Sequence, residues 1–284
     1  MSRSSYCVLI SALAFALAGC SSDAWFPASE AAGQGARAIA KPSIVESATG
    51  EGGAATAAAA GGAGAATDAG SPQPGAATEC EPNQAVLTSE MSNARDLGGT
   101  PLTDGRHVAC GAVYRGPPLR LSDSGCAEAS RLGLRTLIDL RVDGERSSSP
   151  DAACVDAERV FAPLPIPYGV SPTDYLNDLH ETPSIAAIFH AFGDPSAYPI
   201  YFHCTYGRDR TGIVGALLLL ALGASREVVM QEYLLSQPNV GAYPDSLNAV
   251  LDEIEQRGGA ENVLHDAGIS DAELATLRER AIAD

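Results

Sequence analysis

The sequence predicts an α/β fold: a central, mostly parallel sheet flanked by helices, in a single domain. Two observations carry it. From about residue 80 onward, short apolar stretches alternate with segments of helical spacing, as strands joined through helices do. The 34 residues from Glu46 to Glu79 contain no Val, Ile, Leu, Met, Phe, Tyr or Trp. They cannot bury enough apolar surface to offset their ordering entropy, so the core must lie beyond them.

The N-terminus carries Arg3 and then an eleven-residue run from Val8 to Ala18 that is almost wholly apolar. A membrane-spanning helix needs about 20 such residues, so the run reads as the core of an export signal. It ends in Leu17-Ala18-Gly19-Cys20. This resembles the bacterial lipoprotein signal, whose Cys is lipid-modified and becomes the new N-terminus; an ordinary secretory signal is the alternative. The expected organisation is a signal peptide at 1–19, a disordered Ala/Gly-rich tether at 20–79 and a folded domain at 80–284. The resemblance implies a cell-envelope location, with membrane attachment only through lipid on Cys20. Ser21 favours the outer membrane if the cell is Gram-negative.

Within the folded part, Val113-Tyr114-Arg115, Thr136 to Leu140, Arg159-Val160-Phe161 and Pro199 to His203 read as strands. Pro199 sits at a strand start, where a missing N–H does least harm. Ser122 is a good N-cap for a helix that stops at Gly133. Ser184 to Phe192 and Arg226 to Leu235 have helical spacing, and Ser270 with Glu273 forms a capping box for a last helix. The ten-residue apolar run Ile213 to Leu222 suits a buried core helix.

Charge limits the partners. The chain holds 35 acidic against 18 basic residues, a formal net charge of −17. That argues against nucleic acid and against docking on anionic lipid through a basic patch. It does not exclude a phosphate substrate, because one short loop is locally positive.

That loop is His203-Cys204-Thr205-Tyr206-Gly207-Arg208-Asp209-Arg210-Thr211-Gly212. It lies between an expected strand and an expected helix. A Cys and an Arg five residues later, in this setting, make a cradle in which backbone N–H groups and the helix N-terminus face an anion. Arg210 can grip two oxygens of a phosphoryl group at once. The same field favours a thiolate at Cys204, so one loop supplies both nucleophile and clamp. Thr211 is placed to hydrogen-bond that thiolate. Asp209 is the leading general acid, with Asp174, Asp139 and Asp143 as rivals.

The loop resembles that of the Cys-dependent protein tyrosine phosphatases, and most closely the bacterial subgroup reading His-Cys-x-x-Gly-Lys-Asp-Arg-Thr-Gly. Further boxes match in order: Asn93-Ala94-Arg95-Asp96-Leu97-Gly98-Gly99, Val113-Tyr114-Arg115, Thr136 to Arg141 with Glu145 and Arg146, and Glu232-Tyr233-Leu234-Leu235-Ser236. The segment Gly258 to Arg280 is similar to the subgroup's C-terminal helices. The resemblance implies hydrolysis of phosphate monoesters, protein phosphotyrosine first, through a cysteinyl-phosphate intermediate on Cys204, with no metal or organic cofactor. A phosphorylated protein or an inositol phosphate or phosphoinositide is the implied partner. Thr205, Tyr206, Gly207, Arg208 and Thr211 are then the substrate-binding set. His203, Arg95 and Asp96 support the loop, the last two by pinning the N-terminal box against it. Two departures stand out: Arg208 replaces the usual Lys, and Tyr206 places a ring where Ala is common. Two readings of other kinds remain open: a non-catalytic phosphate-binding envelope module, and a rhodanese-type sulfurtransferase.

Seven cysteines fit an exported domain. Apart from Cys7, Cys20 and Cys204, an even four remain, with three possible pairings. Cys80–Cys110 and Cys126–Cys154 are the expected pairs.

Overall fold

Four short parallel strands and one antiparallel edge strand build the main sheet, as seen in a computed structural model that describes residues 80–165 and 170–283. These residues belong to one unit, Asp68–Asp284. The expected signal segment, Cys20 and the expected tether lie outside the described residues. The chain runs β1 (Arg95–Asp96), β2 (His107–Val108), β3 (Val113–Gly116), α1 (Asp123–Leu132), β4 (Thr136–Asp139), α2 (Asp143–Ser148) and β5 (Glu158–Phe161). There follow α3 (Pro172–Leu179), α4 (Thr182–Phe192), β6 (Ile200–His203), α5 (Asp209–Leu222) and α6 (Arg226–Leu234). The chain closes with α7 (Gln237–Val240), α8 (Pro244–Gln256), α9 (Ala260–Asp266), α10 (Asp271–Ala281) and β7 (Ile282–Ala283).

The sheet order is β1-β3-β6-β4-β5, with β1 antiparallel to β3 and every other pair parallel. A second pair, β2 and β7, is antiparallel. Parallel strands covered on both faces are apolar throughout rather than alternating. Every residue of β3, β4 and β6 is buried. One face carries the larger core, built on α5 with α4, α8 and α10; the other packs Leu87, Leu119, Leu137 and Tyr201 under α1. The apolar run Ile213–Leu222 forms most of α5, which is buried on nearly all sides, as a helix apolar all round must be.

Each expected strand and helix is found within a few residues of its sequence position. Ser122 occupies the N-cap of α1 but its hydroxyl makes no capping bond; it turns to Glu90 instead. Gly133 ends α1 in the left-handed region at φ 60°, and the Ser270–Glu273 capping box starts α10. The strand β5 starts one residue before its expected position and stops at Phe161. Both expected disulfides form, Cys80–Cys110 and Cys126–Cys154, each with Cα atoms 6.0 Å apart. Among the described residues no helix is long and apolar enough to cross a membrane.

Candidate active site

The carboxyl end of β6 is where the sheet meets its chemistry. His203 is the last strand residue, Cys204 follows at 1% exposure, and α5 starts at Asp209. The five residues between must turn tightly. Gly207 does so at φ +65°, and a Cβ there would lie 2.3 Å from the carbonyl carbon of Gly116 on β3. Only glycine permits that approach.

The loop is tied from outside by its carbonyls. Asn93 Nδ2 donates to the carbonyls of Tyr206 (3.0 Å) and Gly207 (3.1 Å), and Arg115 Nη2 donates to Gly207 (2.9 Å). Among the described residues no group accepts from the N–H groups of Thr205 to Arg208, which leaves them for an anion. Arg115 is itself held by Glu232 Oε2 (2.6 Å), whose Oε1 accepts from Arg95 Nε (2.7 Å). Arg95 also donates to Asn93 Oδ1 (2.7 Å). One buried carboxylate on α6 thus joins two strands of the sheet to the loop. Burial pushes the Arg115 guanidinium down to about 10 despite Glu232. Burial alone would raise the Glu232 carboxyl, but the Arg115 and Arg95 charges hold it below its usual value.

Arg210 lies in the first turn of α5 and is 2% exposed. Its two terminal nitrogens meet both oxygens of Glu145, at 2.6 and 2.7 Å. Nη1 also reaches the Leu140 carbonyl (3.3 Å) and Nη2 reaches Thr205 Oγ1 (3.2 Å). Thr205 donates in turn to Glu145. Burial disfavours the guanidinium charge, yet the Glu145 hydrogen bonds and the Cys204 and Glu145 charges raise its pKa overall. Burial would likewise raise the Glu145 carboxyl; Arg210 and Thr205 bring it below its usual range. The clamp is preset before any ligand arrives. Thr211 is fully buried and its hydroxyl has no partner among the described residues.

The remaining expected site residues divide. Asp209 accepts from Tyr175 Oη (2.6 Å) and from Arg208 Nε (2.8 Å) on Oδ1, and from Arg208 Nη2 (3.0 Å) on Oδ2. Arg208, expected to meet substrate, is therefore spent on its neighbour, and its Nη1 donates to the Val240 carbonyl. A guanidinium satisfied by a carboxylate in its own loop has little reason to leave it. Thr205 likewise points to Glu145 rather than outward. Asp96 is a second correction. Its carboxylate accepts from the N–H groups of Gly98 (2.8 Å) and Gly111 (2.7 Å), holding the turn beside the Cys80–Cys110 bridge rather than the phosphate loop.

The rival acids are engaged elsewhere. Asp174 closes the capping box of α3 with Ser171 and is half-buried. Asp143 is exposed and pairs with Arg146. Asp139 is buried against Arg141, which donates from Nε and Nη2, both at 2.8 Å. His203 is fully buried, with Nε2 3.3 Å from Asp151 and Nδ1 3.9 Å from Asp139. These three have the donor types of a metal site, but Arg141 bonds both carboxylates and already supplies the cation.

Sequence reasoning quoted Asn93, Arg115, Glu145 and Glu232 inside matching boxes without assigning them roles, and passed over Tyr175, Asp151 and Tyr243. A charged residue flanked by strand or core-helix residues was the available signal, since such groups are buried only when paired.

A buried thiol thus follows a central parallel strand, and the helix after it carries an arginine held by Glu145. The chain belongs to the tyrosine phosphatase family, whose model matches residues 86–283. A Cupriavidus necator protein with a tyrosine-protein phosphatase name is 34% identical over 167 residues, 51% of this chain and 60% of that one. A tyrosine-protein phosphatase of Nostoc commune is 24% identical over 209 residues, 57% of this chain and 70% of its own. The triple specificity protein phosphatase PtpB of Mycobacterium tuberculosis is 40% identical over 63 residues, 22% of each chain.

Proposed function

We propose that this chain hydrolyses phosphate monoesters, protein phosphotyrosine among them, through a cysteinyl-phosphate intermediate. One observation carries the reading: the Cys204 loop lies under α5 with Arg210 held bidentately by Glu145. In the first step the Cys204 thiolate attacks phosphorus in line. The S–P bond forms, the ester P–O bond breaks, and the leaving oxygen takes a proton. The free N–H groups and Arg210 hold the phosphoryl oxygens where charge gathers. Water then breaks the S–P bond and releases inorganic phosphate, while Thr211 hydrogen-bonds the departing sulfur.

Of the four candidate acids Asp209 alone lies within the loop, and it is assigned as the proton carrier although Tyr175 and Arg208 both donate to it here. A general acid matters most when the leaving group is poor. A simple anion binder does not need the Cys204 thiol, and the sulfurtransferase reading is disfavoured by the tyrosine phosphatase family match over residues 86–283.

The reading extends to export and to lipid anchoring at Cys20. Two disulfides in one domain support an oxidising compartment, and labelled palmitate incorporated by wild type and lost in Cys20→Ala would test the anchor. For the chemistry, Cys204→Ser and Arg210→Ala should each cut turnover of p-nitrophenyl phosphate by about 10³-fold or more. Near-wild-type turnover by Cys204→Ser would overturn the mechanism.

A further inference from the structure

Asp209 opens α5 with donors on both carboxylate oxygens. Two of the bonds come from its chain neighbour: Arg208 Nε reaches Oδ1 at 2.8 Å and Nη2 reaches Oδ2 at 3.0 Å. The third comes from another helix. Tyr175 on α3, 1% exposed, donates its hydroxyl to Oδ1 at 2.6 Å. Among the described residues it is the only group outside the loop that bonds the Asp209 carboxylate.

Tyr175 does not act alone. Its oxygen lies 2.8 Å from Tyr233 Oη, which accepts from the N–H of Tyr243 at 2.9 Å. A phenol has one hydrogen to give. Tyr175 spends its own on Asp209, so within the pair Tyr233 donates and Tyr175 accepts. A directed chain therefore runs from the Tyr243 N–H through Tyr233 and Tyr175 to Asp209, each bond polarising the next. Burial first, and then the Asp209 charge, push the Tyr175 phenol far above its usual value, and burial likewise raises Tyr233. Both hydroxyls remain donors at neutral pH. The fold makes room for them: a Cβ at Gly212, in the first turn of α5, would lie 2.7 Å from Tyr233 Cε2.

A proton carrier must stay within hydrogen-bond reach of the leaving oxygen, and small misplacements are costly. Held by Arg208 alone, the Asp209 carboxyl would be anchored only to the side chain beside it. Tyr175 ties it to the core through α3. The tie is compatible with a proton: Asp209 protonated on Oδ2 keeps Tyr175 on Oδ1 and gives up only the Arg208 Nη2 contact.

We propose that Tyr175, itself oriented by Tyr233, is the positioning residue that holds the Asp209 carboxyl for proton transfer to the leaving oxygen. This rests on the phosphatase reading of the Cys204 loop. In that step the Asp209 Oδ2–H bond breaks and an O–H bond forms on the departing phenol. Asp209 is left as the carboxylate, still bonded by Tyr175.

The test compares two esters on the full chain through kcat/KM, which covers the step in which the leaving group departs. 2,4-Dinitrophenolate leaves without a proton, whereas phenolate needs one. In Tyr175→Phe the ratio of kcat/KM for 2,4-dinitrophenyl phosphate to that for phenyl phosphate should rise about 10-fold, and in Tyr233→Phe about 3-fold. Asp209→Asn should raise it about 100-fold, and adding Tyr175→Phe to Asp209→Asn should raise it no further. A hydroxyl that merely stabilised the domain would lower both esters together and leave the ratio unchanged. An unchanged ratio in Tyr175→Phe, or in Tyr233→Phe if Tyr175→Phe does not fold, would overturn the proposal. So would a further rise in the double variant. Hydrolysis of neither ester by the wild type would overturn the phosphatase reading itself.

Discussion

Glu145 shows how one side chain decides what an arginine can do. A free guanidinium samples many rotamers, and fixing it at the moment of reaction costs conformational entropy. Here Glu145 engages both terminal nitrogens of Arg210 in advance and takes Thr205 as well. Nη1 and Nη2 have two partners each, and among the described residues Nε is left for a phosphoryl oxygen. Glu145→Gln keeps the shape but turns an amide N–H2 toward one arginine nitrogen, so the clamp loses its register. Turnover of p-nitrophenyl phosphate should fall about 100-fold, mostly in kcat, with Glu145→Asp regaining part of it. A kcat within twofold of wild type for Glu145→Gln would show that Arg210 needs no such partner.

At the scale of elements, the sheet was legible because parallel strands buried on both faces are near-continuous apolar runs, as in Pro199 to Phe202 and, interrupted by Asp139, Leu137 to Leu140. The helix α5 was legible for the same reason. What the sequence concealed were elements whose cause is tertiary. The short strands β1, β2 and β7 have two residues each, too few for any periodicity. The amphipathic helix α8 begins at Pro244, without a Ser, Thr, Asp or Asn cap to announce it. The loop residues Cys204 and Arg210 could be read from spacing alone. Their supports, Glu145 and Glu232, sit 59 residues before and 28 after Cys204, a separation that only the fold closes. The bridge from Cys126 on α1 to Cys154 before β5 spans a sequence separation of 28. Losing it in Cys126→Ser with Cys154→Ser should cost about 3 kcal/mol, chiefly by freeing the unfolded chain. For a domain of this size that lowers Tm by about 6–12 °C. An unchanged Tm in scanning calorimetry would mean that the bridge adds nothing to stability.

The molecule as a whole is an acidic body built around buried carboxylates, and these two facts act in opposite directions as pH falls. At neutral pH the net charge of −17 repels itself, so mild acid should relieve that strain. The carboxylates that hold the site behave differently. Burial would raise Asp151, but His203 and Arg141 hold its carboxyl down at about 2. Glu145 and Glu232 are lowered by their arginines, and Glu273, in the cap of α10 rather than the site, is held at about 2 by Ser270 and His190. A carboxyl depressed in the folded state contributes stability above its unfolded pKa of about 4 and loses it as pH falls through the folded value. For Asp151 alone that is about 2 kcal/mol. Urea unfolding followed by circular dichroism should therefore give stability that holds or rises from pH 7 to about 4.5, then drops steeply between about 4 and 2. The drop should be shallower in Asp151→Asn, which has already lost its share at neutral pH. A decline that begins between pH 7 and 5 and is complete before pH 4 would assign acid sensitivity to histidines instead, and would remove the buried carboxylates from the account of what holds this sheet to its loop.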